Sequence, residues 1–285
     1  MKRARPGFTL VELLVAIGIV SVLLAILLPV VGRVREQATV LQCAANLREL
    51  STAMVLYANA QPDHGYPRAP YDPSKNKLQL DNAGYMVPDT FGKSGYVSEN
   101  NVPASLFLLM KTQRLSPTMF VCPATDAVPW NPAVDPQKSS NWEKPEGSLT
   151  YSLAAPYPTA AAEKGGFAWR GGLPAEFAVL ADANPGTRGG SDPLNNVTGP
   201  RHDAAAAALR AANSNNHRNR GQNVAYGDGH VEFCTTPYCG RLRKDGIRDH
   251  IYTAGAGDGG ICGELAVPVD KYDSVCLPTD DPGGK

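Results

Sequence analysis

The sequence predicts an α+β protein in which one long N-terminal helix packs on an antiparallel β-sheet head with long loops and disulfides. Three observations lead there. From Phe8 to Val31 every residue is apolar or small except Thr9, Glu12 and Ser21, a run longer than the roughly 20 residues a helix needs to cross a bilayer core. From Arg33 to Ala60 apolar residues recur at helical spacing, so the helix continues beyond the membrane. Toward the C-terminus, Val224 and Tyr226 alternate, as do Val231 and Phe233, on either side of Gly227-Asp228-Gly229. That turn supplies the positive-φ positions a tight two-stranded hairpin needs.

Charge and cysteine usage narrow the class. The 27 basic residues balance the 27 acidic ones, so neither a nucleic-acid footprint nor a polybasic lipid patch is expected. Lys2, Arg3 and Arg5 precede the apolar run and hold the short tail in the cytoplasm, which sends the bulk of the chain across the membrane. The six cysteines, Cys43, Cys122, Cys234, Cys239, Cys262 and Cys276, then lie where disulfides form and persist. No Cys-x2-Cys occurs, which argues against a closed zinc site. Beyond residue 60 about 225 residues remain, enough for one sizeable head.

The N-terminal junction is the most informative stretch. A carboxylate near the apolar core costs a few kcal/mol unless it finds a partner, so Glu12 needs an explanation. The apolar run is also too long for an ordinary secretory signal. Gly7-Phe8-Thr9-Leu10-Val11-Glu12-Leu13-Leu14-Val15 resembles, without a gap, the class III leader junction of type IV pilins and type II secretion pseudopilins. The resemblance implies a pilin-like fold, cleavage after Gly7 by the prepilin peptidase, and N-methylation of the new Phe8 amine. It further implies that Glu12 neutralises the N-terminus of a neighbouring subunit in a filament. The partners so implied are identical or related pilin subunits, the pilus or secretion assembly machinery and the bacterial inner membrane. The precursor would sit in that membrane, and the mature protein in a periplasmic or extracellular filament. An ordinary uncleaved anchor with one stray acid is the plain alternative.

Five segments follow from this reading: a leader at 1–7, a transmembrane and filament-core helix at 8–31, its amphipathic continuation at 32–60, a globular α+β head at 61–233, and a cysteine-containing extension at 234–285. Pro29 removes a helical hydrogen bond; it matches the proline around which pilin helices loosen in a filament, and a static kink is the alternative. The continuation carries two apolar stripes, Val34, Ala38, Leu41 and Ala45 on one side and Cys43, Leu47, Leu50, Met54 and Tyr57 on the other. The second is assigned to the head and the first to neighbouring helices, or both are buried within one subunit. Gln61 to Pro67 stops the helix with two prolines and a glycine.

Residues 61–105 read as a long surface excursion, Val102–Leu115 as a short helix, and Met119–Cys122 as a strand ended by Pro123. Ser148–Leu153 and Phe177–Leu180, the latter running into Ala181-Asp182, are strand candidates, and Ala204–Ala208 a short helix. Cys43 on the head-facing stripe and Cys122 at the strand end are the first choice for a disulfide. The resemblance supports that pair, because larger pilin-like proteins carry a cysteine near an Asn-Leu-Arg, here Asn46-Leu47-Arg48, and another in a Phe-x-Cys-Pro, here Phe120 to Pro123. Cys234 to Cys239 suits a local bridge and Cys262 to Cys276 could close another, with pairing across the two loops equally compatible.

The hairpin resembles a signature of one large group of pilin-like proteins, a histidine followed nine residues later by an Asp-Gly pair; here ten residues, Arg218 to Gly227, separate them. If neighbouring strands bring Asp182, His217, Asp228 and His230 together, those oxygens and imidazoles could hold a divalent ion, calcium being the natural one outside the cell. Turn formation is a sufficient role for Asp228 by itself. No nucleophile elbow, phosphate-binding loop or His-Glu-x-x-His occurs. The expected function is therefore structural: a type IV pilus-like or type II secretion pseudopilus subunit assembled through its N-terminal helix, not an enzyme. The rival is a membrane-tethered extracytoplasmic binding protein recognising a glycan or a metal ion, with a metal-dependent hydrolase a distant third.

Overall fold

The computed structural model describes residues 9–88, 97–131, 135–186, 199–255, 258, 260–262 and 265–278. Helix α1 runs unbroken from Leu10 to Asn59, a length of about 75 Å at 1.5 Å per residue. Its environment changes halfway. The large apolar side chains from Leu10 to Val31 are all exposed, whereas Cys43, Leu47, Leu50, Met54 and Tyr57 are buried against the head. The opposite stripe stays outside: Val34, Ala38 and Leu41 are exposed and Ala45 is half-buried. Each stripe thus has its own fate, and only one is used within the chain.

The head follows as α2 (Val102–Gln113), α3 (Pro145–Ser148), β1 (Tyr151–Ala154), α4 (Ala160–Lys164), β2 (Ala178–Asp182), α5 (Ala206–Ala211), β3 (Gln222–Tyr226), β4 (Val231–Cys234) and β5 (Cys276–Leu277). Its five strands form one antiparallel sheet in the order β4-β3-β2-β1-β5. Every residue of β1, β2 and β3 is buried. Successive strand residues point to opposite faces, so both faces are covered, and α1 packs against β2, β3 and β4. The register places Tyr151 opposite Asp182 and Ala181 opposite Val224, which gathers polar side chains at one end of the sheet directly under α1.

Helix α2 begins at the expected residue because Asn101 caps it, its side chain accepting from the Ala104 amide. It ends at Arg114 in the left-handed conformation, and its whole first two and a half turns are buried. Trp142 is wedged edge-on against Phe107 at 5.4 Å and Phe120 at 5.1 Å between ring centroids. The three tryptophans, Trp130, Trp142 and Trp169, are all buried and act as core.

Three expectations are corrected. Residues Pro117–Phe120 form a 3-10 turn where a strand over Met119–Cys122 was expected; proline has the fixed φ of a helical first position and no N–H for a ladder. The strand expected from Ser148 starts at Tyr151, because Pro145 opens the short helix α3 that includes Ser148. In the hairpin only Gly229 has positive φ, at 87°. Gly227 is required for space, since a Cβ there would meet the Pro174 carbonyl oxygen at 2.5 Å.

The C-terminal stretch is knit into the same core. Ile251, Tyr252, Val275, Cys276 and Leu277 are buried in it, and β5 pairs with β1. His250 is buried there too, accepting at Nδ1 from the Tyr252 amide at 3.3 Å, while its Nε2 finds no hydrogen-bond partner among the described residues. Burial pushes its pKa down to about 4.

Two outcomes follow. Truncating Leu47 to Ala should cost about 2–5 kcal/mol in the unfolding free energy of the head, through lost burial and a cavity, measured by urea denaturation of the full chain in detergent. For His250 the unfolded state binds a proton that the folded state refuses between pH 6.5 and about 4, so its contribution is present above 6.5 and lost as pH falls. A His250→Gln chain should show one proton less in the acid-side slope of stability over that window, a total of roughly 3 kcal/mol.

Candidate functional site: the helix and its joint to the head

Gly7 and Phe8 lie outside the described residues. The first described feature is the N-cap of α1. Thr9 accepts at its hydroxyl from the Glu12 amide at 3.3 Å, and Glu12 Oε2 accepts from the Thr9 amide at 2.8 Å and the Thr9 hydroxyl at 2.7 Å. This reciprocal capping box satisfies backbone donors that a helix end otherwise leaves unpaired. The acid that looked out of place in an apolar run therefore has a local role, set by its spacing of three from Thr9.

Beyond the cap the helix is built for lipid. Its apolar first half is unburied within the chain. The Ser21 hydroxyl, which would be costly in hydrocarbon, donates to the Ile17 carbonyl at 2.7 Å. Pro29 sits inside α1 without ending it. Having no N–H, it leaves the Ala25 carbonyl without its helical partner.

From Glu36 onward polar and covalent ties fasten the helix to the sheet. Cys43 and Cys122 form a disulfide with a Cα–Cα separation of 5.4 Å, closing a loop of 79 residues. Asn46 donates from Nδ2 to the Val121 carbonyl at 3.4 Å and the Tyr151 hydroxyl at 3.2 Å. Asn223 on β3 donates to the Val40 carbonyl at 3.3 Å. At the membrane-proximal end Arg220 pairs with Glu36, and that guanidinium holds the Glu36 carboxyl below its usual range.

Asp182, at the end of β2, is the hub beneath these ties. It is fully buried; Oδ2 accepts from the Asn223 amide at 2.6 Å and side chain at 3.1 Å, and Oδ1 from the Asn216 side chain at 3.2 Å. His217 Nε2 is 3.3 Å from Asp182 Oδ2 and 3.9 Å from Cys122 Sγ. His217 reaches this position because the chain turns sharply after it, with Arg218 and Asn219 both at φ 57°. Two consecutive left-handed non-glycine residues are strained, and the Asn219 side chain compensates by donating to the Asn213 carbonyl at 2.7 Å.

The four residues expected to converge on calcium are thus divided. Asp182 and His217 are together in the buried joint. Asp228 and His230 are together in the exposed β3–β4 turn, where Asp228 Oδ1 accepts from the His230 amide at 3.1 Å and contacts the His230 ring. The register explains the split: Asp182 lies beside Asn223 at the start of β3, and the turn lies beyond its far end. Calcium takes six or more oxygen ligands, and neither pair approaches that set. In the joint the nearest further ligand types are Cys43 and Cys122, whose sulfurs are joined to each other.

Of the remaining cysteines, Cys234 and Cys239 are buried thiols, the first 3.3 Å from the Tyr226 hydroxyl and the second donating to the Pro237 carbonyl at 3.7 Å. Cys262 Sγ donates to Asn184 Oδ1 at 3.4 Å, and Cys276 lies on β5, its carbonyl accepting from Asn184 Nδ2 at 3.0 Å. The bridges expected within 234–276 are absent from the structure, and both cysteines of the second pair serve the same asparagine. Sequence patterning missed Asn216, Asn223 and the Glu36–Arg220 pair, because isolated polar residues far apart in the chain carry no periodic signal, and it marked Asn46 only as part of the Asn-Leu-Arg beside the helix cysteine.

Residues 2–28 match the family model of the prokaryotic N-terminal methylation motif, the prepilin-type motif characteristic of type IV pilins and pseudopilins. Searches of curated proteins and of solved structures found no match. Residues 9–28 of the match are exposed in the structure, and the match stops before the helix meets the head.

Replacing both Cys43 and Cys122 by Ser should lower head stability by about 4 kcal/mol, the scale for a loop of this length, read as a drop in the urea midpoint against the oxidised parent. An unchanged midpoint would mean that the polar ties alone hold the helix.

Proposed function

We propose that the chain is a filament subunit of a type IV pilus-like or type II secretion pseudopilus assembly. It is inserted in the inner membrane as a prepilin, cleaved after Gly7 by the prepilin peptidase, methylated on Phe8, and incorporated by lateral packing of α1 against related subunits. The observation that carries this reading is the coincidence of the methylation-motif match at residues 2–28 with a helix half whose apolar surface finds no cover within the subunit. A simple anchor needs only some 20 residues; here the apolar exposure continues through Val34 and Leu41, beyond a bilayer's thickness and onto the side of α1 that faces away from the sheet.

Glu12 takes part in two ways. Within the subunit its carboxylate caps the helix through Thr9. During assembly the same charge pairs with a neighbour's new N-terminal amine, which makes burial of both ions affordable only when they meet. Pro29, with its unpaired carbonyl partner one turn earlier, is where α1 yields as it packs. The joint around Asp182 keeps the head in one orientation on the helix while this happens. The role is mechanical and requires no chemistry from the head.

Glu12→Gln separates the two roles, because glutamine preserves the capping box and removes the charge. Glu12→Gln, Glu12→Ala and Glu12→Val chains, coexpressed with a prepilin peptidase, should all remain inserted and cleaved, yet enter sheared filaments far less than the parent. Parental filament yield from Glu12→Gln would sink the proposed charge role. An intact Met1–Gly7 leader on the parent, by mass of the N-terminal peptide, would instead favour a membrane-tethered binding protein.

A further inference from the structure

The head contains a second cysteine site unlike the joint. Cys234 closes strand β4, and Thr235-Thr236-Pro237-Tyr238 returns the chain so that Cys239 faces it. The turn is held from outside: Asn213 Nδ2 donates to the Thr235 carbonyl at 2.8 Å, Gln222 Nε2 to the Thr236 carbonyl at 2.8 Å, and the Ile251 amide to the Pro237 carbonyl at 3.1 Å. Cys239 Sγ donates to the Pro237 carbonyl at 3.7 Å. The Tyr226 hydroxyl bridges the pair, 3.3 Å from Cys234 Sγ and donating to the Cys239 carbonyl at 2.9 Å.

Both cysteines line a cleft of about 480 Å³ that opens between β4 and the Glu176–Arg248 ion pair, with His230 stacked flat on Tyr226 at 4.5 Å along its wall. Cys43 and Cys122 are wholly inaccessible, as is Cys276; Cys234 and Cys239 each retain 8% exposure toward the cleft. Their environments also differ. The neighbouring Cys239 thiol lowers the Cys234 pKa, whereas burial raises that of Cys239.

We propose that Cys234 and Cys239 are a thiol–disulfide exchange site, in which Cys234 attacks a disulfide-bearing oxidant admitted by the cleft and Cys239 resolves the product. In the first step the Cys234 thiolate bonds to one sulfur of the oxidant, whose S–S bond breaks and releases one thiolate. In the second, Cys239 gives up its proton and bonds to Cys234 Sγ, displacing the oxidant's other sulfur as a thiolate. The protein loses two protons and two electrons to the oxidant, which leaves as two thiols. The Tyr226 hydroxyl, which donates to the Cys239 carbonyl and lies 3.3 Å from Cys234 Sγ, ties the two ends of the turn together. The product bridge pins the end of β4 to the segment leading to β5. The inference concerns the head alone and stands whether or not the chain assembles into filaments.

The test uses the purified full chain in detergent, reduced mildly, with glutathione disulfide as probe and peptide masses as readout. The parent should lose two hydrogens between Cys234 and Cys239 without retaining glutathione. Cys239→Ser should accumulate a stable glutathione adduct on Cys234, and in Cys234→Ser the remaining Cys239 should react roughly tenfold or more slower. Native-state alkylation of the parent, which needs no substitution, should label Cys234 ahead of Cys239 and Cys276. Persistence of both thiols in glutathione disulfide, or labelling of Cys239 first, would overturn the proposal.

Discussion

A helix that spends its first half in lipid and its second half on a sheet must be gripped at one end only, and that constraint shapes the rest of the molecule. The grip is the buried joint centred on Asp182. Removing a carboxylate from water is costly unless its lone pairs are filled, and here amides from Asn216 and Asn223, together with His217, surround it. Asn223 then extends the network to the Val40 carbonyl on α1, and Asn46 returns it from α1 to Tyr151. The disulfide adds a covalent tie between the same two layers.

The elements around the joint serve its geometry. Antiparallel pairing with Tyr151 opposite Asp182 puts both polar groups at the end of the sheet nearest the membrane-facing half of α1. The left-handed pair Arg218 and Asn219 turns the chain so that His217 points in and Arg220 reaches Glu36. Beside the joint, Trp142, Phe107 and Phe120 are packed edge-on, and the Phe120 carbonyl accepts from the Thr150 amide next to Tyr151. Specific orientation comes from the polar ties; bulk stability comes from the apolar and aromatic burial around them.

The two cysteine sites divide the same chemistry differently. The joint's sulfurs are wholly buried between helix and head, where their bond is structural. The pair at the end of β4 lies on a cleft with a tyrosine hydroxyl beside it. A cysteine's surroundings, not its spacing, set its reactivity. That is why counting cysteines pointed equally to several pairings within 234–276, while the Cys43–Cys122 choice drew on a helical stripe and a family pattern as well.

The long helix, its apolar first half, the capping partner Thr9 three residues before Glu12, the stripe from Cys43 to Tyr57 and the hairpin around Asp228 are all local or periodic features, and the sequence by itself determined them. Periodicity encodes which side of an element is apolar, so burial of one stripe and exposure of the other followed once a partner existed. What only the tertiary structure decided is which distant polar residues meet. Asp182 joined His217 and Asn223 but not Asp228 and His230, because strand register, a property of the paired sheet, separates residues that the chain order places close together. The turn at Pro117–Phe120 and the incorporation of β5 belong to the same class, since short apolar segments take the conformation that the surrounding core leaves open to them.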